Sequence, residues 1–173
     1  IFYHLTSFMA DFEGFRWRWS HTFHHSNTLQ TKDKYDHEIQ IARPTDLIAF
    51  FLNYIPFTDL LFPHRLIKFE VLKHSLGFFS PVVEISAPLN EKKKILWNSR
   101  FYVIIWFSII LLSIYFKTIL PILYFILPNY YGKPIWFLVN ITQHLGGALD
   151  KKDHRESTYS VIINPIFSFL YWH

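Results

Sequence analysis

The chain has 173 residues, of which 51% are hydrophobic, 20% aromatic and 17% charged, with a net charge of +4 at pH 7. A charge share so far below the usual quarter excludes a disordered tail. The absence of cysteine excludes a disulfide-stapled module and any thiolate metal site, leaving nitrogen and oxygen as the only metal donors. Its 19 Phe, 10 Tyr and 6 Trp give more ring surface than one soluble core of this length needs, and a bilayer is the natural sink for the excess. The basic residues sit beside apolar runs, as membrane flanks do, and are not spread along one polar face, so a nucleic-acid partner is not expected.

The chain opens on Ile1 with no signal-peptide pattern and stops inside an aromatic stretch, Phe169 to His173, so an internal piece of a longer protein is expected. Residues 1–46 run from an aromatic opening through Arg16-Trp17-Arg18-Trp19, a pairing suited to the membrane interface, into a group of histidines. A charged loop follows, with Asp33, Asp36 and Glu38, closed by Pro44. Between 47 and 100 the apolar pattern is broken by Pro56, Pro63, Pro81 and Pro88 while charged residues recur at helical spacing. That reads as interfacial amphipathic helices.

Lys92, Lys93, Lys94 and Arg100 then lead into the apolar run from Phe101 to Phe116. Residues 101–139 are expected to form a transmembrane hairpin, with its apex either near Lys117 or at 129–134. Lys151, Lys152 and Arg155 follow the block. Basic flanks on both sides place both ends on the cytoplasmic face, so residues before 100 and after 140 can share one site. No strand pattern persists, and the fold class is all-α: a membrane domain with cytoplasmic and interfacial helices.

Ten histidines invite metal or proton chemistry. His21-Thr22-Phe23-His24-His25 is the sharpest motif, because offsets of three and four residues put all three rings on one helix face. Neutral imidazole suits iron, zinc or copper, and such a trio can serve a pair of metals; the competing reading is a titrating surface cluster. Asn140 and His144, one helical turn apart where the apolar block ends, either contribute to such a site or hydrogen-bond locally at the interface. His37, His64 and His74 read as structural residues, and His154 by default as an interfacial hydrogen-bonding group.

The box at His21 to His25, preceded by Arg16-Trp17-Arg18-Trp19-Ser20 and followed by Asn27-Thr28 and acidic residues, resembles the second histidine box of the membrane fatty acid desaturases. Asn140 and His144 look like the asparagine and histidine that these enzymes place after a transmembrane hairpin. Asp153-His154-Arg155, Asn164-Pro165 and Phe169 to Trp172 resemble the approach to the third box. The first box has no counterpart, His4 standing alone, and the third is expected beyond His173, so this stretch by itself is expected to be inactive.

The resemblance implies two iron ions held by His21, His24, His25 and His144, with Asn140 acting through water. It implies dioxygen as oxidant and an electron-transfer protein, either a ferredoxin or a haem carrier. Asp33, Asp36, Glu38 and His154 are candidates to orient the imidazoles. The implied protein is an integral membrane oxidoreductase of the bacterial inner membrane or endoplasmic reticulum, with its active site facing the cytoplasm. It would introduce a double bond into an acyl chain. A related hydroxylase or ketolase, or a non-catalytic histidine-rich metal-binding membrane protein, remains an alternative.

Overall fold

The computed structural model describes residues 2–10, 12–32, 36, 48, 52, 55, 67–127, 143–144, 146–160, 162 and 164–171. Its longer elements are helices and, among the described residues, no strand occurs. Asp33, Glu38, His37, His64, Asn140 and the side chain of His154 lie outside what is described.

Helix α1 (Phe2–Met9) meets α2 (Gly14–Ser26) at a close crossing. A Cβ on Gly14 would stand 3.0 Å from both the Tyr3 ring and His4 Nδ1, and Tyr3 Oη donates to the Gly14 carbonyl at 2.7 Å. Only the hydrogen side chain of glycine lets the backbones approach so closely.

Glu13 starts α2 by accepting from the backbone N–H of Phe15 (3.3 Å) and Arg16 (2.6 Å), which satisfies donors that have no partner within the helix. The same carboxylate accepts from Asn98 Nδ2 and is 1% exposed. At the far end Asn27 Nδ2 donates to the Phe23 carbonyl and Thr28 Oγ1 to that of His24. Both ends of α2 are therefore closed by side chains that follow from the local sequence.

Helices α3 (Ile67–Ser75) and α4 (Pro81–Ser86) brace α2 from the side. Phe15 and Trp19 of α2 pack with Phe79 against Val83, Ala87 and Ile95. Trp19 Nε1 donates to Glu91 at 3.4 Å, so this ring is engaged within the protein. Arg16 pairs with Glu70 at 3.2 Å, Ser80 Oγ donates to Glu70 at 2.5 Å, and the Ser80 N–H donates to His74 Nε2 at 3.1 Å. His74 is fully buried, consistent with the structural role expected of it. The α3 helix ends where Gly77, at φ 92°, allows the N–H of Phe78 to reach the Lys73 carbonyl and that of Gly77 the His74 carbonyl, a Schellman closure.

Helix α5 runs from Leu89 to Tyr115, 27 residues and about 40 Å at 1.5 Å per residue. It begins well before residue 101, because the lysines of the basic flank are good helix formers and occupy its first turns. The helix is long and apolar enough to cross a membrane. Glu91, Ile95, Ser99, Tyr102, Ile109 and Ser113 are its buried positions and form one stripe toward the other helices. Phe101, Ile104, Phe107, Leu111 and Ile114 on the remaining surface are each about 60% exposed, as suits a helix surrounded by lipid.

Tyr102 anchors the packed side: its ring meets Phe8 edge-on at 5.0 Å and its Oη donates to the His4 carbonyl at 3.0 Å. After Tyr115 the chain reverses through a second Schellman closure, Thr118 N–H to Ser113 and Lys117 N–H to Ile114, with Lys117 at φ 49°. The short α6 (Leu120–Phe125) folds back so that Ile122 and Ile126 pack beside Tyr102 and Ile109. The chain thus turns near Lys117; residues 128–142, which include the second possible apex at 129–134, lie outside the described part. Helices α7 (His154–Ser157) and α8 (Pro165–Tyr171) complete the order.

Burial pushes the Glu70 carboxyl up, but Arg16, Ser80 and His74 together outweigh it and hold the group below its ordinary value. A depressed folded value means that Glu70 stabilises the fold above the ordinary carboxyl range, and that this is lost as pH falls through the depressed value. Thermal melts in detergent should therefore show stability falling below about pH 4. Glu70→Gln should flatten that dependence and lower stability at pH 7 by about 1–3 kcal/mol, since Arg16 keeps its burial and loses its counter-charge.

Candidate metal centre

The helical register of α2 brings His21, His24 and His25 to one side. His25 Nε2 lies 3.1 Å from His21 Nε2, and the ring centroids are 4.5 Å (His21 and His25), 5.4 Å (His24 and His25) and 5.7 Å (His21 and His24) apart. Trp17 stacks on His21 at 4.8 Å with 17° between the planes, and Phe12 stacks on Trp17. This stack restricts rotation of the His21 ring.

The fourth imidazole comes from the opposite end of the chain. His144 is buried and its ring stands edge-on to His24, centroids 5.0 Å apart. It lies in a turn, whereas the sequence spacing suggests helix. Its place is set by a three-part strap. The Tyr159 N–H donates to the Gln143 carbonyl at 2.8 Å and the Ala148 N–H to Glu156 at 2.9 Å; the short α7, capped by Asp153, carries Ser157 beneath the ring. Asp150 then fastens the strap to the segment leaving α2. Its carboxylate accepts from Thr31 N–H and Oγ1, both at 2.8 Å, while its own N–H donates to the Leu29 carbonyl at 3.2 Å. Gln30 Nε2 adds a bond to the Lys151 carbonyl at 2.7 Å.

Gly147 sits at the closest point of this junction. A Cβ there would lie 2.8 Å from Leu29 Cδ1, 2.9 Å from the Ser157 carbonyl oxygen and 3.1 Å from that of His144. Asp150, Ser157 and Gly147 support the site, yet spacing does not reveal them, because Asp150 and Gly147 meet Thr31 and Leu29 over a hundred positions away and Ser157 acts through its backbone carbonyl. The adjacent glycines after His144 are the one local sign of a tight turn.

Two of the imidazoles have their Nδ1 side occupied by an acceptor. His24 Nδ1 lies 2.8 Å from Asp36 Oδ2, an oxygen that also accepts from the Leu29 N–H at 3.0 Å; both side chains are nearly fully buried. His144 Nδ1 lies 3.2 Å from the Ser157 carbonyl oxygen. A proton held on Nδ1 by a carboxylate or carbonyl leaves Nε2 as the metal-binding nitrogen. Burial pushes His144 down, and the neighbouring imidazoles add to this against the Ser157 hydrogen bond and Asp36. The neutral ring is the form that binds a metal.

The donor set fits a nitrogen-preferring transition metal in kind. Two nitrogens each about 2.1 Å from one ion at right angles lie about 3 Å apart, close to the separation of His21 and His25 Nε2. Among the described residues no three His, Asp or Glu side chains already converge so that they could hold one ion.

The fatty acid desaturase family matches the chain over residues 1–173. No curated protein and no solved structure gives a significant match.

Gly147→Ala should push the strap off Leu29 and Ser157, costing about 1–3 kcal/mol as an overpacked site does. Differential scanning fluorimetry should register a lower midpoint, and hydrogen exchange should rise selectively at 28–31 and 143–159. Equal exchange in the two proteins would contradict the tight junction.

Proposed function

We propose, on the premise that the chain belongs to the fatty acid desaturase family and is thus an oxidoreductase, that it serves the oxygen-dependent introduction of a double bond into an acyl chain at a membrane. The observation that carries this reading is the meeting of His144 with His24. A lone surface cluster on α2 gives no reason for a buried imidazole from the far end of the chain to be strapped beside it.

In this reading His21, His24, His25 and His144 hold a pair of iron ions, with Asn140 contributing through water. Those ions, with dioxygen and two electrons from a ferredoxin or haem carrier, supply the oxidant for an unactivated C–H bond, which no side chain can provide. The chain's own residues do the rest. Asp36 keeps the His24 proton on Nδ1 and Ser157 does the same for His144, so each ring presents Nε2 in one orientation. Trp17 stacks on His21 and limits its rotation. The buried faces of His24 and His144 keep water from one side of the centre. The site lies on the cytoplasmic side, the side to which the basic flanks assign both ends of the apolar block.

A hydroxylase or ketolase built on the same ligands differs in how the substrate is placed, so the product decides between them. With the parent full-length gene product expressed in a membrane host, a new unsaturated fatty acid should be present for the wild type and absent for His24→Ala/His25→Ala and for His144→Ala. A hydroxylated product would move the assignment to oxygen insertion, and an unchanged lipid profile despite bound iron would overturn it. Asp36→Ala should weaken iron binding about 10- to 100-fold while far-ultraviolet circular dichroism stays unchanged.

A further inference from the structure

Away from the histidines, a cleft of about 610 Å³ opens between α1, the first turn of α2 and the first three turns of α5. Its α5 wall is graded. Asn90, Lys94, Trp97 and Phe101 follow one another at helical spacing on a single face, with Lys93 beside them, so amide, cation, indole and phenyl succeed each other over about 16 Å. This is the order in which a helix entering a bilayer meets headgroup phosphate, interface and hydrocarbon. Phe15 of α2 faces this wall, and Lys94 Nζ stands 5.9 Å from its ring centroid.

The charge in the cleft is unbalanced. Among the described residues no carboxylate lines it. Lys94 is paired outside it with Glu91 at 2.7 Å, and Asn98 donates to Glu13, but Lys93 is exposed and no ion pair involves it among the described residues. His4 also lines the cleft, its Nδ1 buried without a partner. The remaining wall is aromatic and half-exposed, Trp97 and Phe101 being 58% exposed each. A basic end and an aromatic end, joined on the membrane-entering stretch of α5, match an amphiphile with an anionic head.

We infer that this cleft binds an anionic phospholipid, its phosphodiester held at Lys93 and Asn90 and the start of its acyl chains lying against Trp97, Phe101 and Phe15. Basic clefts at the ends of membrane helices take lipid headgroups in this way. The site is at the opposite end of α2 from the metal-binding face, so the inference goes beyond the catalytic reading and does not need a metal.

The test uses the full chain in nanodiscs containing a photoactivatable phosphatidylglycerol. Cross-links should map to peptides covering 90–101. Unlabelled phosphatidylglycerol should compete better than phosphatidylcholine, and inorganic phosphate should not compete. Lys93→Gln, at an exposed position without an ion pair, should lower labelling about fivefold, whereas Lys152→Gln, a basic residue outside the cleft, should leave it unchanged. Labelling indifferent to Lys93→Gln, equal competition by phosphatidylcholine, or displacement by inorganic phosphate would each overturn the inference. Because labelling requires neither iron nor turnover, its failure is distinct from a failure of the desaturase reading.

Discussion

The bond pair between Thr31 and the Asp150 carboxylate is the constraint on which the candidate centre depends. Helix α2 can display three imidazoles by itself, but it cannot supply the fourth. Asp150 holds the 143–159 strap against the segment leaving α2, with Gly147 seated on Leu29 and Ser157 placed beneath His144. Thr31 Oγ1 and N–H both satisfy the same carboxylate, so the junction is directional as well as charged. The hydrogen bonds to Thr31, those of its backbone N–H first, hold the Asp150 carboxyl below its ordinary range, and the junction keeps its anionic acceptor through the neutral range.

The opposite end of α2 is tied with equal care to the long apolar helix α5. Glu13 caps α2 and accepts from Asn98 of α5, while Arg16 leans on Glu70 of α3. Burial raises the Glu13 carboxyl despite its hydrogen bonds to Asn98, Arg16 and Phe15, a sign of how little water reaches this joint. Between a joint to α5 at its start and a strap at its end, α2 is fixed along its axis. The rings it carries inherit that position, and Trp17 and Asp36 set what the backbone leaves open, the ring angle and the protonated nitrogen.

Helical periodicity was enough to read the shared face of His21, His24 and His25, and composition was enough to read a long apolar helix. Both signals are local, one turn or one run in extent. The start of α5 is not marked by the same local logic: Lys92 to Lys94 mark where a bilayer would end, while the helix runs back through them to Leu89, since a lysine stem is at home in either setting. His144 was singled out by its spacing from Asn140, yet it sits in a turn, and what positions it is a set of bonds to Leu29, Thr31 and Ser157 that no pattern over neighbouring residues encodes. Asp36 was one of several acidic candidates; only the fold distinguishes it, by burying it against His24 and the Leu29 N–H.

The separation of Thr31 from Asp150 along the chain, 119 residues, also sets a clock. At about 5–20 residues synthesised per second, α2 waits roughly 6–24 s after emerging before the segment that completes its histidine face exists. During that interval the helix can form and dock on α5, but His24 still lacks the His144 ring beside it. Completion of the four-imidazole cluster is therefore a late event, governed by closure of this long loop rather than by folding of the helix that carries three of the rings.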